Sequence, residues 1–574
     1  MIWDGGREPA ANIVELLTAR AQSHGDRTAM IFLERGEREA DRATYADLDR
    51  SARAVASVLR DIGAISKPVI VALPAGVDFI RCFLGCLYAG AYAVPVPFPL
   101  QRRHWDRIEG IARAAKPAGT LTNQAAREAS DSISEWGGEI LAVPEVFAGT
   151  PLESLAYPSS RTLAFIQYTS GSTGKPKGVA ITHGNVMANQ AMIAEGFGHT
   201  EALVVASWLP LHHDMGLIGC ILQPLYVGGR SVFMSPLAFL QRPSRWVKAI
   251  SEWRATTAGA PNFGYDLSIR ASGDEEIRGV DLSSLKVAFC GAEPVRPRTL
   301  RAFAARFAAH GFDSAALYPC YGQAEATLFV SGRNAGSGMR TYLAGRDLIG
   351  GEGGAGAREL VSCGWPRVGG EVLIVGTGDV VLPEGVTGEI CISGDNVSPG
   401  FWSHEVGGAV PDHARELLVG GKRYLRTGDL GFIADGELYI AGRLKDMLII
   451  HGANIYAEDV EETVMNLPEA ALLRSAACFG IERWHEEAMV IVCELAEKTM
   501  GQGEGEVLLK SATRAIGENH GTIPAAALLV MRGVIPTTAS GKIQRSLLRD
   551  RFLRGELTSL FAVGTLSVGE GSSS

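Results

Sequence analysis

The sequence offers little to a nucleic acid, a disulfide framework or a membrane. Its formal net charge is −9 over 574 residues. That balance argues against nucleic acid as the main partner, because phosphate backbones are bound through a surplus of Lys and Arg. Nine cysteines are scattered without a Cys-x-x-Cys pair or a histidine grouping at zinc spacing. This excludes a small disulfide scaffold and predicts reduced thiols in a cytoplasmic setting. Cys82 and Cys86 are four apart but lie in an apolar helical run and read as core. Asp4, Arg7 and Glu15 interrupt the N-terminus, against a secretory signal. Cys82 to Leu100 carries no charge. Yet Pro95, Pro97 and Pro99, with Phe79, Ile80, Phe83, Leu84, Leu87 and Tyr88 at helical spacing, predict a buried helix and a short extended segment, not a transmembrane span. What remains is ordinary for a globular chain, with 46% hydrophobic and 20% charged residues. The length exceeds one typical core, so two or more domains are expected.

Helix and strand signals alternate in the N-terminal part. Asn12 opens a short amphipathic helix, and Thr28 to Leu33 reads as a strand. Thr44 caps a second helix with apolar residues at Leu48, Ala52, Val55, Val58, Leu59 and Ile62, and Pro68 to Leu73 is again a strand. Such βα units imply a largely parallel sheet with helices on both faces. Leu163 to Tyr168 is a buried-strand pattern. Thr169, Ser170, Gly171, Ser172, Thr173 and Gly174 follow it, with Lys175 and Lys177. Glycines let backbone N–H groups converge on one anion, and hydroxyls and ammonium groups add donors and charge, so this is a phosphate cradle. It is not a Walker A loop, because Pro176 stands where Ser or Thr would hold magnesium and no helix can begin in register. His212 and His213 beside Asp214 are read as an extended pair, one side chain inside and one outside, rather than as a metal site. From Glu371 short strands with glycine turns suggest a distorted β-barrel.

The phosphate loop resembles that of the adenylate-forming superfamily, which includes acyl-CoA ligases, amino-acid adenylation domains, luciferases and fatty acyl-AMP ligases. From about Asn12 to Leu560 further motifs follow in the same order. Gly76-Val-Asp-Phe-Ile80, Leu84 to Gly90 and Val94-Pro-Val-Pro97 are similar to the fatty acyl-AMP ligases in particular. The resemblance implies an α/β fold: a large N-terminal domain of residues 1–442, made of two α/β subdomains plus the distorted β-barrel, and a small mobile α/β domain of residues 443–574. It places a hinge at Lys445 and an insertion at about 332–360, while the Gly/Ser-rich composition from about Gly564 reads as a disordered tail.

The same resemblance assigns roles. The Thr169–Lys177 loop would hold ATP phosphates. His213 falls on a His-x-x-Gly position between acyl tunnel and ATP site, where amino-acid adenylating domains carry an aspartate, so a fatty acid is preferred. Ala260 to Leu267 would line the acyl pocket, with core aromatics as the plainer reading. Gly291, Ala292 and Glu293 would lie along adenine, Tyr321 would stack on it with Gly322 and Thr327 close by, and Glu325 would hold Mg2+. Asp429 would accept from both ribose hydroxyls, Arg443 would meet ribose or phosphate, and Lys542 would be the catalytic lysine. The implied reaction forms an acyl-adenylate from a fatty acid and ATP and passes the acyl group to a holo acyl carrier protein on a separate chain. CoA is the alternative acceptor, since Asn454 and Ile455 read more like acyl-CoA ligases and Ala457 replaces a usual proline. A catalytically inactive lipid-binding protein is the alternative of another class, and intact Lys542 and Glu325 count against it. The insertion is read as restraining the small domain from the pose that uses CoA, against a plain surface loop. Two basic clusters, Arg102, Arg103 and Arg107 and then Arg545, Arg549, Arg551 and Arg554, are read as docking an acidic carrier or as solvated faces.

Overall fold

Capping residues set the first helices. The Asn12 side chain accepts from the N–H of Glu15 and starts the helix Ile13–His24. Thr44 and Asp47 form a reciprocal capping box at the head of Tyr45–Asp61, and Thr182 and Asn185 do the same for His183–Phe197. The computed structural model describes residues 10–99, 102–130, 136–169, 176–345, 358–450, 453–483, 486–497, 503–538 and 541–564. Contacts divide the chain into two units. One holds Met1–Arg340, Ser362–Val372 and Ile392–Leu425; the other holds Thr341–Val361, Leu373–Cys391 and Arg426–Ser574.

The first unit contains two large sheets. In one, the strands run in the order Trp365–Pro366, Phe329–Gly332, Leu317–Gly322, Val287–Cys290, Thr257–Ala260, Val204–Ser207, Arg230–Met234, Thr28–Glu34 and Arg38–Thr44. Its middle is parallel and its two edges are antiparallel. In the other, Gly408–Val410, Gly400–Ser403, Lys177–Thr182 and Leu163–Thr169 form an antiparallel half, followed by Tyr92–Pro95, Pro68–Ala72, Gly119–Thr122 and Glu139–Ala142 as a parallel half. The parallel strands read as continuous apolar runs because helices cover both faces. Val77–Ala89, the uncharged helix, is buried along nearly its whole length. Among the described residues no helix is long and apolar enough to cross a membrane.

The second unit has a four-stranded sheet in the order Leu473–Arg483, Glu486–Leu495, Ala526–Val530 and Ser559–Gly564. Alternate residues serve opposite faces: Ala476 and Cys478 join one apolar cluster, Ala477 and Phe479 the other. Gly564, where the tail was expected to begin, instead closes the last strand opposite Ala526. Residues 565–574 lie outside the described residues. The ends of the expected insertion are an antiparallel hairpin, Thr341–Ala344 with Arg358–Val361, rather than plain loop. Tyr342 packs on Phe432 and Tyr439, and Arg358 donates to the Ala441 carbonyl at 2.7 Å and pairs with Asp459 at 3.0 Å. The glycine-rich run between these strands, 346–357, lies outside the described residues.

Helices Tyr45–Asp61 and Val77–Ala89 meet at Gly85, where an added Cβ would stand 2.4 Å from Val55 Cβ. Gly85→Ala is therefore expected to lower the thermal midpoint, at a cost of about 1–3 kcal/mol for overpacking, and Val55→Ala in the same chain should recover part of the loss. An unchanged midpoint for Gly85→Ala would mean that the helices pack further apart than described.

Candidate active site

Four neighbouring parallel strands of the first sheet end on the same side, and each delivers a loop there. Open α/β sheets bind ligands at such C-terminal edges. After Val287–Cys290 come Gly291, Ala292 and Glu293, and Ala292 has φ 72°, in the left-handed region. Asn262, at the head of the helix after Thr257–Ala260, holds this turn. Its Nδ2 donates to the Pro294 carbonyl at 2.6 Å, its Oδ1 accepts from Arg296 N at 2.9 Å, and Glu293 accepts from Phe263 N at 3.3 Å. In the same helix Tyr265 is fully buried and donates to Phe289 O, so it is core; Phe263 is half-buried against Trp208.

The strand Leu317–Gly322 carries Tyr321, which is buried, and Gly322, whose added Cβ would meet Leu328 O at 1.8 Å. No side chain fits there, because the chain doubles back at once. Glu325 sits in the turn Ala324–Ala326, and Thr327 follows with φ 67° and ψ −60°. Leu328 N donates to Ala326 O at 2.8 Å, which closes a three-residue γ-turn. A β-branched residue in that region costs about 1–3 kcal/mol. Two buried asparagines hold it. Asn189 donates to Phe329 O (2.7 Å) and Ala326 O (3.3 Å) and accepts from Phe329 N (3.1 Å). Asn396 donates to Ala326 O and Phe329 O, and its own carbonyl accepts the Thr327 hydroxyl at 2.7 Å. Ser398 N adds a bond to Glu325 O at 2.8 Å. With about 0.5–1.5 kcal/mol net for each bond, the set outweighs the strain.

The pair His212 and His213 is not in an extended segment. It lies in a turn that leads into the π-helix Met215–Leu222, and both side chains are half-buried. Local polar bonds win over the strand geometry expected: His213 N donates to Pro210 O, and its Nδ1 lies 2.6 Å from Asp214 Oδ1. Gly216 is needed because a Cβ there would stand 2.2 Å from Pro210 O. Gln167, on the strand that leads into the phosphate loop, donates to His212 O at 2.8 Å, tying that strand to this turn.

Thr169 ends its strand opposite Lys177, at the head of an antiparallel strand pair that flanks the loop expected to hold phosphates. Ser170, Gly171, Ser172, Thr173, Gly174 and Lys175 lie outside the described residues. The Lys177 ammonium lies 5.3 Å from the Phe401 ring centre. Glu325 faces a cation, the Arg415 guanidinium at 2.7 Å. The described residues contain no cluster of three or more acidic, His or Cys ligands. A single hard carboxylate suits magnesium only where substrate phosphates complete its shell, and Glu325 fits that use.

In the second unit Asp429 and Arg443 face each other across one antiparallel pair, with Arg443 Nε donating to Asp429 Oδ1 at 2.6 Å. Lys445 sits exposed in the turn Leu444–Asp446. Lys542 lies in a small closed turn: its N–H donates to Thr538 Oγ1 at 3.1 Å and its carbonyl accepts from Thr538 N at 2.8 Å.

Asn189, Asn396 and Arg415 were not foreseen as site residues, and Asn262, within the stretch expected to line the acyl pocket, was not foreseen as a support of the Gly291–Glu293 turn. For Asn189 a signal existed, since Asn185, Asn189 and Gln190 interrupt an apolar helix and buried amides must be satisfied. Nothing in the chain order connects Asn396 or Arg415 to Glu325.

The AMP-binding enzyme family matches residues 17–402. The medium-chain-fatty-acid–[acyl-carrier-protein] ligase JamA of Moorena producens is 36% identical over 571 residues, covering 95% of this chain and 96% of that protein. The long-chain-fatty-acid–AMP ligase FadD26 of Mycobacterium tuberculosis is 34% identical, covering 94% and 97%. A solved fatty acyl-adenylate ligase from L. pneumophila, in complex with acyl adenylate and pyrophosphate, is 34% identical with a TM-score of 0.71, covering 97% of this chain and 99% of that one.

Asn189 generates a test of the turn. Asn189→Ala is expected to cost about 1–3 kcal/mol by stranding buried backbone groups. Asn189→Asp should cost more, because it sets an acceptor against two carbonyl oxygens. Equal urea midpoints for parent and Asn189→Asp would show that the amide does not donate to this turn.

Proposed function

The chain belongs to the AMP-binding enzyme family, and on that premise we propose that it activates a fatty acid as its acyl-adenylate and passes the acyl group to the phosphopantetheine thiol of a separate holo carrier protein. The observation that carries this reading is the match to a fatty-acid–carrier-protein ligase along nearly the whole of both chains. In the first step a carboxylate oxygen attacks the α-phosphorus of ATP in line, a new P–O bond forms, and the bond to pyrophosphate breaks. In the second a thiol attacks the acyl carbon, AMP leaves, and one proton is released.

The proposed roles follow the residues. The Thr169–Lys177 hairpin holds phosphates, and the Gly291–Glu293 turn with Tyr321 and Thr327 holds adenine. Magnesium bound at Glu325 and the phosphates would spread the charge of the departing pyrophosphate. Asp429 offers a buried carboxylate to ribose hydroxyls once Arg443 yields, and Lys542 meets the charge that grows between carboxylate and α-phosphate. His213 stands beside the fatty carboxylate. The functional boundary at residues 442 and 443, with Lys445 as hinge, belongs to this proposal. So does a cytoplasmic setting, which nine unpaired cysteines support.

Lys542→Ala is expected to keep ATP binding but to lower pyrophosphate release by a factor of about 100 or more, as for a group that acts mainly in the transition state. Equilibrium ATP binding and fatty-acid-dependent pyrophosphate release, measured on the same preparation, check this. Pyrophosphate release at the parent rate would overturn the role of Lys542.

A further inference from the structure

Arg545 begins the helix Arg545–Leu553, three residues after Lys542. It is not part of an exposed basic face. Its side chain is largely withdrawn from solvent, 14% exposed, and its guanidinium is enclosed by three carboxylates. Nε and Nη2 donate to the two oxygens of Glu461 at 2.8 Å each. Nη1 donates to Asp446 at 3.0 Å and lies 2.9 Å from Glu458. Two of these carboxylates are themselves fixed. Glu461, on the helix Ala457–Met465, also accepts from Cys478 N at 2.9 Å and so is tied to the edge strand Leu473–Arg483. Asp446 ends the turn that contains Lys445. Among the described residues Glu458 Oε2 is buried without a hydrogen-bond partner, and burial raises its carboxyl pKa against the pull of Arg545.

The turn that carries Lys542 depends on the same stem. Gln544 N donates to Pro536 O at 2.8 Å, Leu548 N donates to Gln544 O at 3.0 Å, and Thr537 pairs with Ile543. The backbone that aims Lys542 therefore runs directly into the residue clamped by Asp446 and Glu461.

We propose that Arg545 is a positioning residue for the adenylation step: its grip on Glu461 and Asp446 fixes the stem of the Lys542 turn against the Lys445 turn. The proposal rests on the reading of Lys542 as the adenylation lysine. A generic buried ion pair would stabilise the fold but would not favour one half-reaction over the other. A displacement of about 1 Å at a reacting group costs about 100-fold in rate, so a loosened stem should be visible in turnover before it is visible in binding.

The test uses the full chain with Arg545→Lys, which keeps the charge but loses the two-pronged contact, and with Asp446→Asn, which keeps the shape. Two rates are read: pyrophosphate release at saturating ATP and fatty acid, and acyl transfer from supplied acyl-adenylate to holo carrier protein. Arg545→Lys is expected to lower kcat for pyrophosphate release by about 10- to 100-fold, with KM for ATP and the transfer rate each within about twofold of the parent. Asp446→Asn, which needs no change at the buried cation, should show the same split to a smaller degree. If both rates fall together in the two variants, Arg545 is only structural and the proposal is overturned. If neither rate changes while Lys542→Ala abolishes pyrophosphate release, the proposal alone fails. If Lys542→Ala itself releases pyrophosphate at the parent rate, the reading beneath fails and the proposal falls with it.

Discussion

The γ-turn at Thr327 is the constraint on which the arrangement at the sheet edge depends. A buried strand runs out at Gly322, and a residue with a carboxylate must be presented within three positions before the chain returns as the antiparallel strand Phe329–Gly332. Regular backbone cannot turn that tightly, so a β-branched residue is held in a conformation it disfavours. The amides of Asn189 and Asn396 both donate to the carbonyls of Ala326 and Phe329 that flank the turn, and water cannot replace them because both side chains are buried. The position of Glu325 is thus fixed from behind, by groups that would never touch a ligand.

A second regularity concerns the acidic groups. Within the first unit Glu325 lies against Arg415; within the second, Asp429 lies against Arg443 and three carboxylates surround Arg545. A carboxylate out of bulk water needs a cation or a proton. At Glu325 and Asp429 a single arginine faces the carboxylate, and in the proposed function it yields to a ligand's charge or hydroxyls. At Arg545 every partner comes from the protein, and the cluster is closed. That difference separates a place for chemistry from a place that holds chemistry in position.

Much of this was legible in the sequence where the cause is local. Asn12, Thr44 and Thr182 start helices because a side-chain oxygen answers an N–H three residues on, and that spacing is written in the chain. The parallel strands Thr28–Glu34 and Pro68–Ala72 were legible as apolar runs, and so was the strand Leu163–Thr169. The errors arise where a competing partner decides, whether near or distant in the chain. The His212–His213 segment turns because Asp214 and Pro210 compete with strand pairing, and Gly216 lets the backbone pass. The ends of the insertion pair as a hairpin because Tyr342 has Phe432 and Tyr439 to cover. Arg545 looked like one member of a basic face until Glu461 and Asp446, 84 and 99 positions away, enclosed it.

The acyl acceptor is where the account is most directly exposed to measurement. The protein, ATP, magnesium and a labelled fatty acid should be mixed at single turnover, first without a thiol and then with CoA and a holo carrier protein in equal amounts, and the products separated by mass. The account predicts labelled acyl-adenylate in the first mixture and label on the carrier's phosphopantetheine in the second, with little on CoA. Label chiefly on CoA would contradict the carrier-protein reading, and a first mixture without acyl-adenylate would contradict the account as a whole.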